Sequence, residues 1–170
     1  MSFMDLARAR YSVRKFKAQP VEQEKLAQIL EAGRVAPTAK NVQEQHVYVL
    51  QSAEALEKVR ELTPCHYGAP VVLLVTYDKN KEFHHPEDTS FHTGVEDASI
   101  VATHMMLMAT ELGIGSCWVN MFLPAAQKAF HIPANEVPVL LMPLGYAADD
   151  APVAAWHTQY KPMGDLVTYL

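Results

Sequence analysis

Three residues near the start of the chain have the types and spacing to grip an anion. In Arg10-Tyr11-Ser12-Val13-Arg14 an extended backbone would turn every second side chain the same way, lining up Arg10, Ser12 and Arg14. Two guanidiniums offer forked, charge-assisted donors, and the serine hydroxyl offers another, a set suited to phosphate or carboxylate. The same residues would also serve as a solvated polar edge beside a helix end.

Two further segments could meet a flat ligand. Pro37-Thr38-Ala39-Lys40-Asn41 combines a helix-ending proline, small residues that permit close backbone approach, and an asparagine with both donor and acceptor. A plain turn between elements would read the same way. In Leu112-Gly113-Ile114-Gly115-Ser116-Cys117-Trp118-Val119-Asn120 the glycines end a helix and turn the chain into a strand, leaving the backbone at Val119, Asn120 and Met121 able to present N–H groups. Trp118 and Cys117 also fit as core residues. His84, His85, Glu87, Asp88, His92 and Glu96 fall close together, yet their spacing matches no helical His-x-x-x-His or Cys/His pattern, so no metal is expected there. The sequence holds no Ser–His–Asp or Cys–His arrangement, no Gly-x-Gly-x-x-Gly and no Walker-type Gly-Lys-Ser/Thr.

The bulk properties narrow the class. With 170 residues, 49% hydrophobic and 19% charged, the chain can bury a real core, and it is expected to form a single domain over residues 1–170. A net charge of −5 argues against general binding to nucleic acid. Two distant cysteines, Cys65 and Cys117, make no disulfide framework and suit a reducing cytoplasm. The N-terminus lacks a signal-peptide pattern. The longest apolar stretch, 98–109, is shorter than the ~20 residues a membrane span requires.

The positioning elements follow from periodicity and punctuation. Residues 3–9 read as a short helix. Residues 21–32 carry Leu26, Ile29 and Leu30 at helical spacing, with Gly33 as the stop. Residues 46–51 read as a strand, and Ser52 as the cap of a helix to about Leu62. Residues 70–77 are continuously apolar, as in a strand buried on both faces. Residues 78–92 read as a surface loop. Thr93-Gly94-Val95-Glu96 reads as a capping box opening a long helix to Gly113, apolar nearly all round and so expected to be covered on every side, with a partner subunit as one source of cover. Residues 116–122 and 137–146 read as strands, with a helix over 124–130 between them. The tail, 147–170, ends apolar enough to pack.

Taken in order, Arg-x-Ser-x-Arg-x-Phe (10–16), Ala-Pro-Thr-Ala-Lys-Asn (36–41), Tyr-Gly-Ala-Pro (67–70), Glu-Asp-Ala-Ser-Ile (96–100), Leu-Gly-Ile-Gly-Ser-Cys-Trp (112–118), Met-Pro-Leu-Gly-Tyr (142–146) and Tyr-Lys-Pro (160–162) resemble the nitroreductase family over almost the whole chain. The resemblance implies an α+β fold with a mostly antiparallel central sheet flanked by helices. It further implies an intertwined homodimer holding FMN at its interface and using NAD(P)H to reduce a nitroaromatic, a quinone or another small acceptor. Enoate reduction, dehalogenation and a flavin-carrier role remain alternatives on the same fold. Arg10, Tyr11, Ser12 and Arg14 would hold the phosphate and the pyrimidine edge of the ring, with Tyr160 and Lys161 near the phosphate. Pro37, Thr38, Ala39 and Asn41 would come from the other subunit. Val119, Asn120 and Met121 would present N–H to flavin N5, with Asn120 and Arg14 tuning it. His84, His85 or Phe91 would stand at the entrance. Three positions depart from the common pattern: Glu44 where many relatives have Pro, Tyr160 where many have Arg, and Asn120 where many have an acid or glycine.

Overall fold

The computed structural model describes residues 2–88, 90–122 and 124–170. Thr89, within the expected surface loop, lies outside the described residues. The chain builds an antiparallel four-stranded sheet between two helical layers. The strands are β1 (Gln45–Leu50), β2 (Val71–Asp78), β3 (Gly115–Ser116) and β4 (Glu136–Gly145), in spatial order β1-β2-β4-β3. The helices are α1 (Phe3–Ala9), α2 (Gln23–Arg34), α3 (Ala53–Leu62), α4 (Gly94–Glu111) and the single turn α5 (Ala126–Ala129).

β2 is central, which explains its unbroken apolar run. Val71, Leu73 and Val75 enter one core with Leu26 and Ile29 of α2 and Ala98, Val101, Ala102 and Met105 of α4. Val72 and Leu74 enter a second core on the other face, with Leu50, Val59 of α3, Val13, Phe16 and Cys117. Both faces exclude water, so no polar alternation survives. β1 pairs with β2 from Gln45↔Tyr77 to Leu50↔Val72. β4 pairs on the other side from Val71↔Leu144 to Asp78↔Glu136, with a bulge at Val75/Thr76.

Local signals set most element ends. Ser2 caps α1 in a reciprocal box with Asp5, and the Ser52 hydroxyl accepts the Ala55 N–H at the start of α3. Gly113, at φ +72°, ends α4 in the left-handed conformation that glycine adopts freely.

Several expectations need correction. Gly33 is not a stop: it lies inside the last turn of α2, where a Cβ would come within 2.8 Å of Met105 Cγ, so its role is close approach to α4. The capping box at Thr93 does not form, because its hydroxyl donates to Asp97 at 2.7 Å while Glu82 accepts the Gly94 N–H at 2.9 Å. The expected strand over 116–122 shrinks to Gly115–Ser116 plus one bridge, Val119↔Leu141. The helix expected over 124–130 keeps only Ala126–Ala129. Within this one chain α4 is not covered all round: Val95 and Ile100 are exposed. The sheet and α2 reach only one side of it.

Candidate functional site

The N-terminal anion-binding candidates lie where the chain leaves α1 and runs along the sheet edge. Arg10 is extended (φ −63°, ψ 125°), and its N–H closes α1 on the Leu6 carbonyl. Ser12 then pairs parallel with Ser116, and the Val13 N–H donates to the Ser116 carbonyl at 2.9 Å. Val13 is buried and lies so close to Gly115 that a Cβ there would meet Val13 Cγ2 at 2.6 Å. Driving Val13 into the core turns its neighbours Ser12 and Arg14 outward, as the period of two requires.

The result is a cleft of about 170 Å³ lined by Arg10, Tyr11, Ser12 and Arg14 on one side and Ala154, Trp156, His157, Gln159 and Tyr160 on the other. No carboxylate lines it. Neither Arg10 nor Arg14 has an ion-pair partner among the described residues. Among the described residues Arg14 reaches only the Ser12 carbonyl, at 3.4 Å. Arg10 and Arg14 are thus two half-buried cations lining one cleft without a counter-charge among the described residues, an arrangement whose chemistry suits an anion. The segment leading to the second wall runs beside the first. Lys15 pairs with Asp150 and Lys17 with Asp149, while the Ala148 N–H donates to the Lys15 carbonyl. The tail then turns through 155–158, bringing His157 to 5.8 Å from the Tyr11 ring. Trp156, His157 and Gln159 were not anticipated; an aromatic-rich segment following an acidic pair is the only trace they leave in the sequence. Lys161 is exposed, one residue beyond the lining.

Pro37, Thr38, Ala39 and Asn41 do not join this cleft. They form a tight turn on the N-terminal end of α4, with Lys40, Asn41 and Gln43 all at φ between 50° and 56°. Left-handed backbone at three non-glycine positions is strained, and it persists because many bonds fix it. The Gln43 N–H donates to Thr38 Oγ1 at 3.0 Å, the Asn41 N–H to the Thr38 carbonyl at 2.9 Å, and the Ala39 N–H to Asp97 Oδ1 at 3.0 Å. Asp97, within Glu-Asp-Ala-Ser, is therefore the anchor of this turn, and the sequence alone did not single it out.

The third segment is only partly available for a ligand. The Val119 N–H is engaged by the Leu141 carbonyl at 2.9 Å, so Val119 cannot be an N–H donor to a ligand as expected. Among the described residues, the N–H groups of Asn120 and Met121 have no acceptor. The Asn120 side chain is tied back: it accepts from Trp118 Nε1 and donates to the Val139 carbonyl at 3.1 Å. Cys117 is buried, and burial pushes its thiol pKa up, against the pull of the Arg14 charge. It is a core residue rather than a nucleophile. At the loop 79–93, His84 bridges to His92, His85 stacks edge-on against Phe91, and Lys40 lies 4.7 Å over the Phe83 ring. Among the described residues no three His, Cys, Asp or Glu side chains are grouped to hold a metal, and no helix is long and apolar enough to cross a membrane.

This fold, with its arginine cleft and strained turn, has known relatives. The nitroreductase family model matches residues 7–65 and 63–146. The chain therefore belongs to the nitroreductase family. A nitroreductase family protein from Clostridium difficile 630 superposes with a TM-score of 0.92 at 37% identity, covering 99% of this chain and 98% of that one. A relative from Methanothermobacter thermautotrophicus, provisionally named an NADH dehydrogenase/NAD(P)H nitroreductase, is 30% identical over 160 residues, 88% of this chain and 80% of its own. A protein from Exiguobacterium sibiricum 255-15, provisionally described as a nitroreductase and solved in complex with FMN, shares the fold with a TM-score of 0.84 at 19% identity, covering 100% of this chain and 98% of that one.

Proposed function

We propose that this chain is an FMN-dependent oxidoreductase that draws a hydride from NAD(P)H and reduces a small organic acceptor, such as a nitroaromatic or a quinone. The observation that carries this reading is the cleft with two guanidiniums and no acid, which suits the phosphate of a mononucleotide. FMN, when bound, supplies the hydride chemistry, and donor and acceptor taking turns on it give ping-pong kinetics. The protein's residues bind and orient. Arg10 and Ser12, with Lys161 nearby, would neutralise the phosphate. Arg14 would place positive charge against the pyrimidine edge of the ring. The N–H groups of Asn120 and Met121 would point to the N5 side. No side chain is asked to act as nucleophile.

The same reading makes the working unit a homodimer. Pro37, Thr38, Ala39 and Asn41 lie away from the arginine cleft, so a second copy would bring them to the ring. A compact monomer of 19.0 kDa exposes about 8,400 Å². This chain exposes 9983 Å², and its exposed large apolar side chains include Val95 and Ile100 of α4 and, in the tail, Trp156 at 67% and Tyr169 at 92%. Exposed apolar side chains on these two elements support a second copy of the chain as their cover.

The test is the purified protein's visible spectrum and its response to NADH or NADPH without oxygen. A yellow protein that bleaches supports the oxidoreductase. A yellow protein inert to both nicotinamides is a carrier, and a colourless one that takes up no FMN overturns the proposal. Light scattering should return twice the chain mass.

A further inference from the structure

At the N-terminal end of α4, three carboxylates from three elements meet in the protein interior. Glu82, from the loop after β2, accepts the Gly94 N–H at 2.9 Å and pairs with His92 Nδ1 at 2.7 Å. Asp97 accepts the Ala39 N–H at 3.0 Å and the Thr93 hydroxyl at 2.7 Å. Glu44 is different. It is only 3% exposed, and neither of its carboxyl oxygens has a donor among the described residues. Its backbone is pinned to the sheet by the Asp78 N–H, which donates to the Glu44 carbonyl at 2.9 Å, so the side chain has no easy route to water. The group beside it is Asp97, another acid, and the two can bond only through a proton.

We propose that Glu44 is a positioning residue: as a neutral acid it donates a proton to Asp97, and this shared proton holds the Thr38–Asn41 turn closed on α4. The inference rests on the reading that this turn faces the flavin, and it adds a residue that touches no ligand. Asp97 is the link: its carboxylate takes the Ala39 N–H, and the orphaned Glu44 carboxyl is buried next to it. With Glu44 ionised, three negative charges would crowd the end of the helix. Opening the strained turn is the available relief, because Lys40, Asn41 and Gln43 return to ordinary backbone as it opens.

Burial, foremost, and then the neighbouring Asp97 and Glu82 push the Glu44 pKa up from 4.5 to about 7. The charged groups acting on it are Asp97 on α4 and Glu82 on the loop; of the groups around these, His92 pairs with Glu82, Tyr77 feels the Glu82 charge, the Asp78 N–H holds the Glu44 carbonyl, and Lys40 directs its ammonium to Phe83. The sign is definite. The closed turn binds more protons than the open one between the ordinary glutamate value and about 7, so closure weakens as pH rises across that window and levels off above it. A single linked proton gives at most a tenfold change per pH unit.

The experiment is hydrogen exchange at the Ala39 amide from pH 5 to 8, corrected for intrinsic exchange, in the wild-type protein, Glu44→Gln and Asp97→Asn. Wild-type protection should fall by more than about tenfold between pH 5 and 7.5. Glu44→Gln carries a permanent donor and should stay flat, and Asp97→Asn should shrink the step, because the neighbouring acid is gone while burial of Glu44 remains. A flat wild-type profile, a step that survives in Glu44→Gln, or one that disappears instead in His92→Gln overturns the shared proton. FMN affinity is read on the same proteins. The ratio of Glu44→Gln to wild-type affinity, in which the titration of FMN itself cancels, should rise several-fold from pH 5.5 to 8. An exchange step with a flat ratio overturns the positioning role. Failure of both proteins to bind FMN sinks the flavin reading and the positioning role with it, while the exchange step still decides the shared proton.

Discussion

Replacing Arg10 by Ala separates a phosphate site from a merely polar edge. Arg10 makes no side-chain hydrogen bond or ion pair among the described residues, so the folded protein should lose little stability. Its role lies in the ligand. A hydrogen bond to a charged group contributes about 1.5–3 kcal/mol, which corresponds to roughly tenfold to 150-fold weaker binding. The cleft holds no carboxylate that could rescue or redirect the charge. Flavin-free protein titrated with FMN and with riboflavin, which lacks the phosphate, reports each half of the ligand by the change in flavin fluorescence. Arg10→Ala should weaken FMN by that factor and change riboflavin by less than about threefold. The wild-type preference for FMN should also shrink with added salt, more than in the variant, because an exposed phosphate contact is screened. Equal losses for both flavins would mean that Arg10 meets the ring or shapes the cleft. No loss for either would refute the phosphate assignment.

Three other outcomes follow from the packing. Gly94→Ala would drive a Cβ to 2.2 Å from the Tyr77 ring and 2.6 Å from Glu82 Oε2, and should destabilise the fold by about 2–3 kcal/mol in urea unfolding. A thiol reagent should titrate the half-buried Cys65 quickly and reach Cys117 only after denaturation, since Cys117 is 2% exposed. Desolvation pushes the Glu136 pKa up, but hydrogen bonds from Thr76, His46 and Tyr48 outweigh it and hold it below the ordinary value. A depressed folded-state pKa stabilises at neutral pH and is lost as pH falls through the acid range, so Glu136→Gln should flatten the loss of stability between pH 7 and pH 3.

What the sequence made legible was whatever is encoded locally. The apolar run of β2 could be read because both faces of one strand are buried, and the Ser52 cap could be read because donor and acceptor lie three residues apart. The failures share a physical cause. Thr93 looked like a cap, but the helix end it opens is closed by Glu82, twelve residues upstream and brought there by the fold. Gly33 looked like a stop because glycine often is one, yet its task is set by Met105 on another helix. Likewise the 116–122 segment reads as a strand, but among the described residues after Ser116 its backbone meets β4 only through the Cys117 N–H to the Pro143 carbonyl and the Val119↔Leu141 bridge. For the candidate site, the arginine row was visible in its spacing. The aromatic wall of the tail was not, since Lys15–Asp150 and Lys17–Asp149 join residues far apart in the chain.

The two halves of the candidate site are built to different standards, and this bears on how the protein works. The arginine row is fixed from below by Val13 against Gly115 and by the bond to the Ser116 carbonyl, so its geometry is set by the core. The turn at 38–43 carries strained backbone, is closed on itself by two bonds to Thr38, and is tied to α4 by one carboxylate, Asp97, which is itself crowded by other acids. A rigid cradle suits the part of a ligand that stays bound, and a turn with a low opening energy suits the part over which other molecules exchange. If the turn of one copy lies across the cradle of another, the element that opens belongs to a different chain from the element that grips. Closure could then respond to local protonation without loosening the hold on the phosphate.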